Sequence, residues 1–239
     1  MAGTYKYRIE PRDVDQTLRV RIYTMGDYIL QAAGDDADTL GFGIRDLNAG
    51  NSSWVLSRMA VEMSRLPARH EQIAVYTWVS DYGRMVTTRN MVIHDEAGEQ
   101  IGAVVTQWAM IDLATRRPLD LSPLSNKGTS LVDREPPIAK PAKIAPFEPT
   151  LHRPYEVVYS DIDFNGHVNS MKYLEWMANT MPAGVLEEAT GFRFDINYIH
   201  EAKLGQPLSI GYASGDRQLF DIQTAEGLSI CRAAINLSF

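Results

Sequence analysis

The sequence predicts an α+β fold in which two antiparallel sheets each wrap a central helix, and three observations predict it. A stretch with helical spacing followed by four strand-like runs occurs twice along the chain. A proline-rich segment separates the two occurrences. The 239 residues, 45% hydrophobic and 22% charged, supply core for two small folded units and argue against a repeat array or a disordered chain.

In the first unit Leu18, Val20 and Ile22 alternate with Arg19, Arg21 and Tyr23, the period-2 signature of a half-buried strand. Helical spacing follows: Ile29, Leu30 and Ala33, then Leu40, Ile44 and Leu47, make one helix or two short ones broken at Gly34 and Gly41-Phe42-Gly43. Strand-like runs come next over Trp54 to Met63, Gln72 to Ser80, Met85 to His94 and Gln100 to Asp112, the last two flanking a hairpin turn at Asp95-Glu96-Ala97-Gly98. Between Asp120 and Pro149, the run Ser122-Pro123-Leu124-Ser125-Asn126-Lys127-Gly128, then Pro136-Pro137 and Lys140-Pro141, reads as an extended linker, because proline fixes φ and removes a backbone donor.

The second unit repeats the order. A strand at Tyr155 to Tyr159 precedes a helical face of Met171, Leu174, Met177, Ala178 and Met181, which Pro182 ends or kinks. Strand-like runs follow at Phe194 to Ala202, Leu208 to Ala213, Gln218 to Thr224 and Leu228 to Phe239. The domains expected are therefore residues 1–120, a linker over 121–149, and residues 150–239. A β-α-β-β-β-β unit in duplicate is a tandem, or double, hotdog, whose two sheets can join edge to edge and so remove exposed strand edges.

Composition narrows the function. No apolar run approaches the roughly 18 residues of a membrane helix, and Met1-Ala2-Gly3-Thr4-Tyr5-Lys6 lacks a signal-peptide core, so a cytoplasmic protein is expected. Cys231 is the only cysteine, which precludes an intramolecular disulfide and a thiolate zinc cluster. A net charge of −7 gives no general reason to bind nucleic acid or an anionic membrane.

The chemistry concentrates in Ser160-Asp161-Ile162-Asp163-Phe164-Asn165-Gly166-His167-Val168-Asn169-Ser170, between a strand and a helix. Three readings compete. A calcium loop would fit Asp161-x-Asp163-x-Asn165-Gly166, but the twelfth position, which must supply a glutamate, is Lys172. A plain turn and helix cap would account for the Asp and Asn residues but not for His167. An active site at a helix N-terminus would use Asp163, Asn165 and His167 in a D-x-N-x-H spacing, with Glu201 on the strand after the helix as a second carboxylate, and an outward-facing structural role for Glu201 stays open.

Asp163-x-Asn165-x-His167-Val168-Asn169 followed by Lys172-Tyr173-x-x-Trp176 resembles the signature of the acyl-acyl carrier protein (acyl-ACP) thioesterases of plants and bacteria. The resemblance extends through Trp54-Val55-Leu56-Ser57-Arg58, Thr77-Trp78-Val79-Ser80, and Trp108-Ala109-Met110 with Thr115-Arg116-Arg117, and so covers most of the chain. It implies a tandem hotdog in one chain and hydrolysis of fatty acyl-ACP thioesters to free fatty acid and holo-ACP, ending fatty-acid synthesis. It places catalytic function on Asp163, Asn165, His167 and Glu201. Plant members commonly carry a cysteine after that glutamate; here Ala202 stands there, so a papain-like mechanism is not available, and Cys231 reads as a small buried hydrophobe.

The first half has no equivalent motif: Ile22-Tyr23-Thr24-Met25-Gly26-Asp27, taken as the matching turn, contains no histidine, so one active site per chain is expected. By resemblance the first half forms the acyl-chain tunnel, from the helix over Asp27 to Ala33 and the strand over Trp54 to Met63, with Trp54 contacting substrate. Glu201 or Asp163 would activate water with help from His167, Asn165 would orient it, and the backbone N–H groups of Val168 and Asn169 would hold the oxyanion. Direct attack by Asp163 through an anhydride is the competing route. The implied partner is acidic acyl carrier protein, with Arg116, Arg117, Lys140, Lys143, Lys172 and Lys203 as docking candidates. Neither a metal nor a cofactor is expected, and the chain would be a monomer or homodimer. Acyl-CoA hydrolysis, 3-hydroxyacyl dehydration and non-catalytic acyl binding remain the alternatives that the fold class allows.

Overall fold

The computed structural model describes residues 2–125 and 131–239, so part of the expected linker, Asn126-Lys127-Gly128, lies outside the described residues. The first half runs β1 (Ala2–Arg8), a 3₁₀ turn (Pro11–Asp13), α1 (Ile22–Thr39), α2 (Ile44–Ala49), β2 (Ser52–Met63), β3 (Gln72–Tyr82), β4 (Thr87–His94), β5 (Gln100–Asp112) and the short α3 (Ser122–Ser125). The second runs β6 (Leu151–Glu156), a 3₁₀ turn (Tyr159–Asp161), α4 (Ser170–Thr180), α5 (Val185–Glu188), β7 (Gly191–Tyr198), β8 (Pro207–Ala213), β9 (Gln218–Thr224) and β10 (Ser229–Ser238).

The strands form one antiparallel sheet of ten in the order β1-β3-β4-β5-β2-β7-β10-β9-β8-β6. That order is a palindrome of the two units, which meet where β2 pairs with β7 in a register from Arg58 opposite Asn197 to Met63 opposite Phe192. The expected edge-to-edge joining is therefore realised as a seam in a continuous sheet. Its core face carries Met59, Val61, Phe194 and Ile196 and packs on the two long helices. There α1 and α4 come into close contact: a Cβ on Gly26 would fall 2.1 Å from Met171 Sδ, so the absent side chain is what admits the methionine.

Four elements depart from the sequence reading, one of them the strand expected over Tyr155 to Tyr159, which is β6 at Leu151–Glu156 with Tyr159 already in the 3₁₀ turn. The first strand is β1, not the run from Leu18 to Tyr23; Val14 and Val20 form only an isolated bridge, and Ile22 already begins α1. Edge strand β1 alternates exposed and half-buried residues, so it carries little apolar signal. Helix α1 continues through Gly34, where a side chain would meet open space. Strand β7 stops at Tyr198 because the Ile199 and His200 amides both donate to the Ile230 carbonyl, at 2.9 and 3.1 Å, and Glu201 lies in the loop beyond.

The opposite face of the seam is covered by residues 131–149. The Ala142 and Ile144 amides donate to the side chains of Asp195 and Asn197, both at 2.9 Å, and Asn197 Nδ2 returns a bond to Ala142 O at 2.8 Å. Arg134 stacks 4.6 Å above the Trp78 ring, and Pro149 fills the space over Gly211. This segment is an ordered strap, satisfying side chains that the sheet alone would bury without partners.

Two charged features fix the helices. Asp36 of α1 and Arg89 of β4 form a buried ion pair, with Arg89 also donating to Thr77 Oγ1 at 3.1 Å. Asp27 of α1 is exposed, yet desolvation and the charge of Glu175 on α4 push its carboxyl up to about 6 from 3.8. Arg89→Met leaves Asp36 buried and uncompensated, and is expected to destabilise the fold by about 3–5 kcal/mol in denaturant titration, with Asp36→Asn added to it recovering part of the loss. The raised Asp27 value means that the contribution of this one carboxyl to stability is fully present below pH about 4 and is lost as pH rises through about 6. Asp27→Asn is therefore expected to raise Tm at neutral pH and leave it unchanged at pH about 3.

Candidate active site

The polar loop between β6 and α4 is built from its own carboxylates. Asp161, almost wholly buried, accepts from Tyr155 OH at 2.8 Å and from the Val158 amide at 2.9 Å through Oδ2, while its carbonyl accepts from the Asn169 amide at 2.8 Å. Asp163 Oδ1 accepts from the Asn165 amide at 2.8 Å and the His167 amide at 3.4 Å. A tight turn closes it, with the Gly166 amide on Asp163 O at 3.0 Å and Gly166 at φ +77, where a side chain is disfavoured. Asn169 then caps α4, its Oδ1 accepting from Met171 N at 2.8 Å.

This places Asp163, Asn165 and His167 on one wall of a cavity of about 720 Å3, which Glu201 and Trp54 also line. His167 Nε2 lies 3.3 Å from Glu201 Oε2, and the same carboxylate oxygen is held by the guanidinium of Arg116 from the first half. The cavity extends from this polar cluster between α1, α2 and β2, along Leu30, Ala33, Leu40, Ile44 and Leu56. On α1 it begins at Leu30, so the expected tunnel helix is shifted toward its C-terminal half and Asp27 lies outside it. Trp54 is steered by an Nε1 bond to Phe42 O at 3.1 Å. Burial pushes the phenols of Tyr173 and Tyr198 well up, so both stay protonated, and Tyr198 OH donates to Ser170 O at 3.1 Å.

Several expectations need correction. Glu201 is a loop residue, and β7 ends three positions earlier. The Val168 and Asn169 amides, expected to hold an oxyanion, already donate to Ala202 O at 3.0 Å and Asp161 O at 2.8 Å. Among the described residues, the Ser170 amide at the start of α4 has no acceptor, and it lines the cavity. Lys172, a docking candidate, pairs with Glu175 at 2.7 Å, whereas Arg117, Lys140, Lys143 and Lys203 are exposed. Cys231 is fully buried with its thiol pushed far up by burial. Among the described residues no cluster of His, Cys, Asp and Glu could hold a metal ion.

Sequence reading missed a second copy of the loop. It spans Asp13 to Arg21, upstream of the turn first taken as equivalent, and repeats the hydrogen bonds one by one. Asp15 N donates to Arg19 O at 2.9 Å, Leu18 N to Asp15 O at 3.0 Å, Arg21 N to Asp13 O at 3.0 Å, and Glu10 N to Asp13 Oδ2 at 2.7 Å, while a tyrosine hydroxyl again reaches that oxygen, here Tyr28 of α1 at 2.6 Å in place of Tyr155 of β6. Leu18 holds φ +61 where the second copy has Gly166. Asp15-x-Thr17-x-Arg19 thus replaces Asp163-x-Asn165-x-His167, and the position that matches Glu201 is Leu66, by the parallel bonds of Val20 N to Pro67 O and Val168 N to Ala202 O. Arg19 turns away from chemistry, its Nη1 donating to Ala189 O at 2.7 Å and its Nη2 to Glu187 O.

Two hotdog units fused through one sheet, with the polar cluster retained in one of them, make this a tandem hotdog protein. Residues 3–123 match the acyl-ACP thioesterase N-terminal domain and residues 145–238 the acyl-ACP thioesterase C-terminal domain, so the chain belongs to the acyl-ACP thioesterase family. A solved acyl-ACP thioesterase from Bacteroides thetaiotaomicron is 33% identical, with a TM-score of 0.89 over 99% of this chain and 98% of that one. A putative oleoyl thioesterase structure from Lactobacillus plantarum is 25% identical, with a TM-score of 0.85 over 100% and 96%. A chloroplastic acyl-[acyl-carrier-protein] hydrolase of Cuphea viscosissima is 28% identical over 182 residues, 70% of this chain and 43% of its own length. The chain spans about half the length of the curated plant relatives it matches.

Asp161 touches no cavity atom, yet it anchors both ends of the loop. Asp161→Ala orphans the Tyr155 hydroxyl and the Val158 amide and is expected to cost about 2–3 kcal/mol, read as a lowered denaturant midpoint at unchanged m-value.

Proposed function

We propose that this chain hydrolyses fatty acyl-ACP thioesters to free fatty acid and holo-ACP. The observation that carries this is one cavity with two ends of different chemistry. Its mouth presents Asp163, Asn165, His167 and Glu201, and its body in the first half is walled mainly by aliphatic and aromatic side chains, with Asp38, Arg45 and Arg89 among them. An acyl chain would lie in the first half with its thioester carbonyl beside the polar loop.

Asp163 Oδ2 is the base in this proposal. Its other oxygen is spent on loop amides, while Oδ2 has only a long 3.4 Å contact with Asn165 Nδ2. Glu201 holds His167 through Nε2, which fixes the tautomer and leaves Nδ1 to accept a hydrogen bond from the attacking water. Asn165 Nδ2 and the Ser170 amide supply the oxyanion donors that Val168 and Asn169 do not. The leaving thiol, with an ordinary pKa near 8.5, asks little of a general acid. Exposed Arg117 and Lys203 near the cluster are the docking charges for an acidic carrier protein. Because the β2–β7 seam supplies both halves of the site, one chain suffices, and the lone buried Cys231 accords with a cytoplasmic setting.

The test is free-thiol release from a chain-length panel of acyl-ACP esters beside the matching acyl-CoA esters. Preferential cleavage of the ACP esters is expected, with kcat reduced roughly 10²- to 10⁴-fold in Asp163→Ala. Equal cleavage of both series would make the protein a general acyl thioesterase, and cleavage of neither would sink the assignment. A single turnover in ¹⁸O water tests the competing route: label in the Asp163 carboxylate requires the anhydride, whereas direct water attack leaves that carboxylate unlabelled and puts the label in the product acid alone.

A further inference from the structure

Arg116 belongs by sequence to the first half and by contact to the cluster in the second. It follows β5 in a turn that the chain builds with care: Asp112 Oδ1 accepts from Thr115 N at 2.7 Å and Thr115 Oγ1 at 2.8 Å, and Asp112 Oδ2 accepts from Asn51 Nδ2 at 2.9 Å. The Arg116 amide donates to Asp112 O at 2.8 Å, and the Arg117 carbonyl accepts from Asp112 N at 2.9 Å. Within that frame Arg116 is held at φ +58, a conformation that costs an arginine about 1 kcal/mol or more. The strained backbone directs the guanidinium across the seam onto Glu201 Oε2, the oxygen that also faces His167 Nε2.

We propose that Arg116 is a positioning residue for catalysis: it fixes the Glu201 carboxylate so that Glu201 can fix His167, and it does not serve as a docking charge. This rests on the thioesterase assignment above. A carboxylate on a loop, with its side chain more than a third exposed, has several rotamers to choose from. A planar guanidinium with forked donors selects one of them, whereas a flexible ammonium would constrain the carboxylate less. Among the described residues, Arg116 is the only Lys or Arg side chain that pairs with Glu201, and none pairs with Asp163. The second half therefore carries the reacting groups while the first half supplies the cation that aligns them.

The experiment compares Arg116→Asn, which tolerates the positive φ, and Arg116→Lys with the parent protein. Each is assayed on an acyl-ACP ester and on a carrier-free acyl thioester. Positioning predicts that Arg116→Asn loses about 10- to 100-fold in kcat on both substrates with KM changed less than about threefold, that Arg116→Lys recovers only part, and that millimolar guanidinium partly restores Arg116→Asn. A raised KM confined to the ACP ester, with kcat intact, would overturn the proposal in favour of docking; unchanged kinetics would overturn it outright. A second readout needs no turnover: the imidazole resonances of labelled His167 are expected to shift in Arg116→Asn and to stay put in Arg84→Ala, a surface change elsewhere. Unmoved resonances in Arg116→Asn would refute the positioning role even if the parent protein proved inactive, an outcome that would count against the thioesterase assignment instead.

Discussion

The pairing of β2 with β7 is the interaction on which the rest of the molecule depends. Each hotdog unit on its own would end in an unpaired strand with an apolar core face, and such edges invite association with other chains. Joining them within one chain satisfies both edges and brings the loop of the second unit over the aliphatic wall of the first. The cavity is a product of that seam. So are the close approach of α1 to α4 at Gly26 and the reach of Arg116 to Glu201, which lies 85 residues away in sequence. The strap over 131–149 secures the same junction from the other side, supplying amides to Asp195 and Asn197 on β7.

Much of this architecture is legible in the residue pattern. Strands β5 and β9 fall where alternation and turn residues placed them, because both have well-marked ends and several buried positions. β1 is silent for a physical reason: Ala2, Thr4 and Lys6 of an edge strand face solvent, so hydrophobic alternation has nothing to report. The apolar continuity through Ile199 carried the expected β7 too far, since periodicity registers side chains while the strand ends on the carbonyl of Ile230.

The residues that gather at the cavity were legible in the sequence, but their bonding was less so. Asp163, Asn165, His167 and Glu201 converge on one cavity, as the D-x-N-x-H spacing and the family resemblance suggested. Their supports were hidden. Asp161 looked like one more loop carboxylate, and Arg116 like a surface charge, because contacts between distant segments leave no mark on local pattern. The oxyanion assignment to Val168 and Asn169 failed for a related reason: which amides remain free depends on the carbonyls brought near by tertiary folding.

The paired loops separate scaffold from chemistry within one molecule. Asp13 to Arg21 keeps the turn, the bridge and the buried aspartate of its counterpart, and even forces Leu18 into the backbone shape of a glycine, without a histidine or a partner glutamate. Arg19 occupies the histidine's place and fastens the two halves together. Duplication thus left one copy without the polar cluster and let it become an internal fastener. Among relatives, then, conservation of this loop's shape is a poor guide to activity, and an inactive descendant could keep its whole hydrogen-bond frame after losing the few side chains that react.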